Sequence, residues 1–128
     1  MPRVFDVYRT VDASIPATGE VIAVVLNDIS TDDPQAKVVL IGRATVSTGT
    51  GGTAVNLRIR RGNTTTSPLV GELVAHAVSA GASSSATIIV EDVPGEVFLQ
   101  SYTLTVEQVG ATAAGTIANA SLTALVGA

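Results

Sequence analysis

TGTGGTAVNLRIRRG, residues Thr48 to Gly62, joins a glycine-dense loop to a run in which apolar and polar side chains take strict turns. Val55, Leu57 and Ile59 alternate with Asn56, Arg58 and Arg60. A period of two places the first set on one face of a strand and the second on the other. A phosphate-cradling loop needs its glycines followed by a Lys and a Ser or Thr opening a helix, whose positive end faces the anion. Here Gly52 leads through Thr53 into an alternating strand. The glycines therefore read as a hairpin turn with positive-φ positions, and the stretch as a turn followed by a half-buried strand.

The same period runs through most of the chain. In SYTLTVEQV, Tyr102, Leu104 and Val106 share one face and Thr103, Thr105 and Glu107 the other. Clusters of Gly, Pro, Asp, Asn, Ser and Thr (IPATGE, STDDPQ, RRGNTTTSP, SAGASSS, DVPGE and GATAAG) punctuate the runs. Between them lie about eight expected strands: Val4 to Thr10, Val21 to Asn27, Lys37 to Val46, Ala54 to Arg61, Leu69 to Val78, Ala86 to Val93, Phe98 to Val109 and Thr116 to Val126. LVGELVAHAV offers some helical spacing, but Gly71 in its middle costs about 1 kcal/mol relative to Ala and caps are lacking. The last run is alanine-rich but carries Thr116, Ile117 and Thr123, which favour a closing strand pairing near the first. The expectation is an all-β, single-domain antiparallel β-sandwich over residues 1–128, jelly-roll-like.

The 128 residues suit one domain, and no linker, internal repeat or charge tail divides them. Apolar residues make up 46% and charged ones 14%, so the exterior must be largely Thr, Ser, Ala and Gly. Such a weakly solvated exterior favours a protein that covers much of it with other chains. A net charge of -4 argues against direct binding of nucleic acid, which requires a basic face. With no cysteine there is neither a disulfide framework nor thiolate chemistry. MPRVFDVYRT alternates, unlike a secretory signal, and the apolar runs fall short of the roughly 20 residues of a spanning helix, so a soluble protein without a membrane partner is expected.

Candidate sites are few. Arg58 and Arg60 share a face, Arg61 closes their strand, and Arg43 stands on the preceding strand, so a guanidinium cluster at an interface is conceivable. The competing account pairs these arginines with Glu72, Glu91 or Glu107. Asn27, Asp28, Asp32 and Asp33 offer hard oxygens for calcium but lack the order and distal Glu of an EF-hand loop; they are also ordinary turn formers. His76 is the only histidine, on a face expected to carry Glu72, and one imidazole supplies no metal site without a threefold axis. Ser83 to Ser85 lack a G-x-S-x-G setting. Glu91, Asp92 and Glu96 flank VPGE and read as turn acids rather than glycosidase carboxylates. With no Trp and only Phe5, Tyr8, Phe98 and Tyr102 as aromatics, a glycan platform is poorly supplied. No catalytic residue, cofactor or resident metal is assigned, and no enzyme activity is expected.

The succession TGEVIAVV, VVLIGRATVSTGTGGTAVNLRIRRG, LVGELVAHAVSAGASSSATIIVED and PGEVFLQSYTLTVEQVGATAAGTIANASLTALV resembles the small Thr/Ala/Gly-rich jelly-roll proteins of tailed bacteriophage virions. That resemblance implies a structural role, as a capsid decoration (cement) protein or spike module on the virion surface. It implies assembly with itself as a homotrimer and with the major capsid protein or other virion proteins, the arginines 43, 58, 60 and 61 serving as interface candidates. The alternative it leaves is a carbohydrate- or receptor-binding module of a phage tail or fibre.

Overall fold

The computed structural model describes residues 3–10, 12–31, 33–79, 81–95 and 97–127. Nine strands follow one another among them: β1 (Arg3–Arg9), β2 (Ala13–Ile15), β3 (Glu20–Thr31), β4 (Lys37–Ser47), β5 (Ala54–Arg61), β6 (Leu69–Ala77), β7 (Ser83–Asp92), β8 (Val97–Val109) and β9 (Gly115–Gly127). The eight expected strands are present with shifted ends, and the three-residue β2 is added. No helix among the described residues is long and apolar enough to cross a membrane.

The strands form two antiparallel sheets. The first has the order β1-β9-β4-β7, with β2 also on β9, and the second the order β3-β8-β5-β6. Apart from β2, the pairings nest: β5 with β6, β4 with β7, β3 with β8 and β1 with β9. One long antiparallel hairpin is thus rolled over two sheets, and the pairings β4·β9 and β5·β8 complete each sheet. This is the jelly-roll arrangement expected.

Nesting corrects one expectation. β4 and β5 lie in different sheets, so Thr48 to Thr53 is not a hairpin turn but a crossing between layers; the hairpin is β5–β6, closed where the Arg61 amide donates to the Pro68 carbonyl at 2.8 Å. The crossing loop is bound to the loop after β8. The Thr112 amide donates to the Thr50 carbonyl at 2.7 Å, the Thr53 amide to that of Val109 at 3.1 Å, and the Gly49 amide to Gln108 Oε1 at 2.7 Å. A Cβ on Gly49 would overlap the Ala113 carbonyl and stand 2.5 Å from that of Ala114. Close approach of two backbones, as well as the positive φ of 81° at Gly51, is what the glycines supply.

The core is the space between the sheets. Val38, Leu40 and Val46 of β4 and Ile117, Leu122 and Ala124 of β9 face Val55, Leu57 and Ile59 of β5 and Tyr102, Leu104 and Val106 of β8, all fully buried. In the middle of β4, a Cβ on Gly42 would come within 2.9 Å of Leu104 Cδ1 and 3.0 Å of Ile88 Cγ2, so a glycine there lets the opposite sheet pack in.

Gly49→Ala forces the two loops apart and should lower unfolding stability by about 1–3 kcal/mol, as overpacking does. Thr50→Ala, truncating an exposed side chain beside it, should stay within about 0.5 kcal/mol of wild type. Urea unfolding midpoints check both, and an unshifted Gly49→Ala midpoint refutes the close-approach account.

Candidate interaction surfaces

The outer face of the second sheet carries an ion network. Arg58 donates from Nη1 to Glu20 Oε1 (2.9 Å), from Nε to Glu72 Oε2 (3.0 Å) and from Nη2 to Glu107 Oε1 (3.0 Å). Arg60 forks onto Glu20, from Nε to Oε2 at 2.7 Å and from Nη2 to Oε1 at 2.9 Å, and its Nη1 reaches the Ser67 carbonyl at 2.9 Å. Glu20 and Glu107 are cross-strand partners, a pairing that would repel without the guanidinium between them. Two arginines meet three carboxylates here, so the network is net negative and does not recruit an anion. Beside it, the outward threonines 103 and 105 of β8 are fully buried.

Glu72 and Glu107 are the partners expected of the arginines; Glu20, which bridges both, was not foreseen. Glu91 stands on the other sheet. Burial works against the Glu20 carboxylate, but hydrogen bonds from Arg60 and Thr105 and the charges of Arg60 and Arg58 outweigh it, lowering its pKa to about 2. A depressed carboxylate stabilises the fold fully above its unfolded value of 4.5, and the contribution is lost as pH falls through 2.

Arg61 does not join this network. Its Nε donates to Asp92 Oδ2 at 2.8 Å and its Nη2 to Asp92 Oδ1, while the fully buried Tyr102 hydroxyl donates to Asp92 Oδ2 at 2.7 Å. Asp92 belongs to β7 of the first sheet, Arg61 and Tyr102 to the second, so the trio ties the layers together near one end. Burial opposes the Asp92 carboxylate, yet hydrogen bonds from Arg61 and Tyr102 hold its pKa below the usual value. Burial, then the Asp92 bond, pushes the Tyr102 phenol up beyond its ordinary range. Asp92 is therefore a buried inter-sheet anchor, not the turn acid expected.

Arg43 is corrected too. It lies on the first sheet, paired in register with Ser121 and Thr87, on the opposite layer from Arg58 and Arg60, so no cluster of the three forms. β4 and β5 are neighbours in sequence but not in a sheet. Around Arg43 the outer face runs in cross-strand rows: Val4, Leu125, Val39 and Glu91, then Asp6, Thr123, Ile41 and Ile89, then Tyr8, Ser121, Arg43 and Thr87. Val4 is 65% exposed, Ile89 66%, Tyr8 67% and Leu125 38%. The charges there, Lys37 and Arg43 against Asp6 and Glu91, sum to zero.

The remaining candidates resolve locally. Asp33 Oδ1 accepts the Gln35 amide at 2.8 Å and its carbonyl accepts that of Ala36 at 3.0 Å, as a turn former does. Asp28 sits at φ 66° in a register shift of β3, and Asp32, like Glu96, lies outside the described residues. Among the described residues no three of His, Asp and Glu group as metal ligands. His76 does not share a face with Glu72, because a register shift opposite Val55–Leu57 intervenes; it points inward and meets Ser84 Oγ at 3.0 Å, bridging β6 to β7.

No protein-family model and no curated protein matches the sequence. Among solved structures the chain is similar to VP2 of infectious bursal disease virus in its subviral particle, with a TM-score of 0.64 and 13% identity over 98% of this chain and 32% of that one. It is likewise similar to a chain of the T13 particle of the same virus, with a TM-score of 0.65 and 11% identity over 96% and 31%. A xylan-binding module follows at 0.49 and 14% identity over 86% and 75%, too slight a likeness to carry an argument. The chain spans about a third of the length of the viral chains it matches, and at these identities the likeness is one of fold.

Glu20→Gln leaves Arg60 without its carboxylate and should cost about 1–2 kcal/mol at neutral pH, since solvent screens a partly exposed pair. Its stability should also fall less than that of wild type between pH 4.5 and 2. Parallel acid unfolding curves for the two proteins would remove Glu20 from the account.

Proposed function

We propose that this chain is a non-enzymatic structural protein of a virion, a jelly-roll module that docks on the shell through the outer face of its first sheet. The observation that carries this reading is the different make-up of the two outer faces. The second sheet also exposes Leu69 and Val74 on its edge strand β6 and Leu99 on β8, but its centre is filled by charge pairs, whereas the first sheet is apolar across its middle. One is occupied by an internally satisfied ion network; the other is weakly charged and exposes Val4, Tyr8, Ile89 and Leu125. An apolar surface ringed by few charges of both signs suits a protein partner rather than a polyanion. The fold likeness to VP2 particle structures supports a viral setting, and the sequence resemblance supports a decoration or cement protein of a tailed phage, with the major capsid protein beneath it.

Docking of this kind works by repetition. Each copy contributes modest apolar burial, and attachment to a lattice multiplies it by valency. Of the four interface arginines, Arg43 belongs to the docking face. Arg58, Arg60 and Arg61 serve the fold through Glu20, Glu72, Glu107 and Asp92.

Proteomics of purified particles tests the setting: the chain should co-purify in fixed stoichiometry with the shell protein, and its absence from clean particles overturns the proposal. In a shell-binding assay, Val4→Asp should weaken binding at least about 10-fold and Arg43→Ala less. Glu72→Gln, on the opposite sheet, should bind as wild type. Equal losses in all three would remove the face assigned here.

A further inference from the structure

A two-sheet sandwich has four edge strands, and an edge presents unpaired N–H and C=O groups to any other chain. Two of the four are broken within the strand and a third is short and charged. β1 is seven residues long and carries Arg3, Asp6 and Arg9, charges that discourage edge pairing; from it Arg9 Nη1 donates to the Ala23 carbonyl at 2.8 Å and Arg3 to the Ser30 carbonyl, occupying acceptors of β3. β3 is further broken by three register shifts, with Asp28 in a left-handed conformation. β6, on the other side, has two register shifts and Ala75 at φ 56°, its amide turned to Asn56 Oδ1 at 2.8 Å.

β7 is tied to the second sheet by side chains, at Ser84 and Asp92, but its strand is unbroken. Its register with β4 runs unbroken from Val38 opposite Asp92 to Ser47 opposite Ser83, and SSSATIIVED contains neither Pro nor Lys. None of its residues has positive φ. Among the described residues no turn or loop amide is bonded to its backbone. Its link to β6 is made by side chains, His76 to Ser84, which leaves the in-plane direction of its backbone groups open.

We infer that β7 is a pairing edge, and that its occupant is β7 of a second copy, running antiparallel about a twofold axis perpendicular to the sheet. Side chains opposite one another must share a face, which confines the register to residues of like parity. Centring on Thr87 sets that residue against its own counterpart, Ser85 against Ile89, Ser83 against Glu91 and Ala86 against Ile88. No carboxylate then meets another, and Asp92, held by Arg61 and Tyr102, falls outside the paired segment. The joined sheet has the order β1-β9-β4-β7-β7-β4-β9-β1. Because the axis is perpendicular to it, the outer faces of both copies point the same way, so dimerisation and docking on one shell are compatible while resting on different observations.

Sedimentation velocity on the isolated full chain over a range of concentrations tests the edge. Wild type should dimerise. Thr87→Lys, which places two ammonium groups on the axis, should raise the dimer dissociation constant at least about 10-fold, with an unmoved unfolding midpoint at concentrations where both proteins are monomeric. Thr123→Lys, on the same face two strands inward, should leave it unchanged. Should Thr87→Lys fail to fold, cross-linking decides: the chain has no cysteine, so mild oxidation of T87C should give a covalent dimer and T123C none. A wild type that stays monomeric or forms only the trimer implied by the resemblance, a Thr87→Lys variant that still dimerises, or equal cross-linking of the two cysteine variants overturns the inference. Since no shell is present, failure here leaves the docking face untested, and loss of shell binding by an intact dimer condemns only the docking face.

Discussion

Contact between the inner faces of the two sheets sets the terms for everything else in this molecule. Leu104 seats over Gly42, and the aliphatic rows of β4 and β9 meet those of β5 and β8 with no exposed atom among them. With only Phe5, Tyr8, Phe98 and Tyr102 as aromatics, this core is filled by small branched side chains, so the sheets must come close to exclude water. Polar residues are then displaced to the rims and outer faces. The Asp92 trio fastens one rim, Gln108 gathers the loops at the other, where its Nε2 donates to the carbonyls of Ile15, Pro16 and Ala113, and Arg3 and Arg9 seal a side.

The arginines illustrate how such a frame redistributes function. Four of them could have faced a partner, but the nested topology delivers Glu20 and Glu107 to the flank of β5 and Asp92 to its end. Paired so, Arg58 and Arg60 fix the spacing of strands β3, β8, β5 and β6 across the sheet instead of presenting charge to solvent. Among the described residues the first sheet has no comparable network, and its outer surface carries the aliphatic side chains of Val4, Val39, Ile41, Ile89 and Leu125. A difference in internal electrostatics between two sheets of one sandwich thereby sets their centres apart, although Leu69, Val74 and Leu99 remain exposed on the second sheet.

Strands were legible because their evidence is local. Period-two alternation in Val55–Leu57–Ile59 and Tyr102–Leu104–Val106 fixed which side chains enter the core, and turn residues fixed where runs end. Pairing is not local. A glycine-rich loop serves a hairpin and a crossing equally well, so Thr48–Thr53 was misjudged and Arg43 was set beside Arg58 when they belong to opposite layers. Glu20 was missed because its neighbour across the ladder, Glu107 on β8, is remote in the sequence, two-thirds of the chain away. His76 and Glu72 share parity in the sequence, but one register shift near Ala75 turns the histidine inward. Period two holds only as far as the next bulge.

Nesting also orders the way the chain is assembled. Among the described residues β5 and β6 are the only long strands that pair as sequence neighbours, joined by the short segment from Gly62 to Pro68. Once that hairpin exists, β4 and β7 are brought near each other, and each later pair closes only the loops added since the last. Folding therefore zips outward from residues 54–77, and β1 on β9, with partners more than 100 residues apart, is the final turn of the roll. Until it closes, the β9 edge and the carbonyls that Arg3 and Arg9 cap stay open to other chains. The edge that β1 covers is thus the last to be closed, which makes arginine capping on β1 a safeguard against misassembly as much as a source of stability.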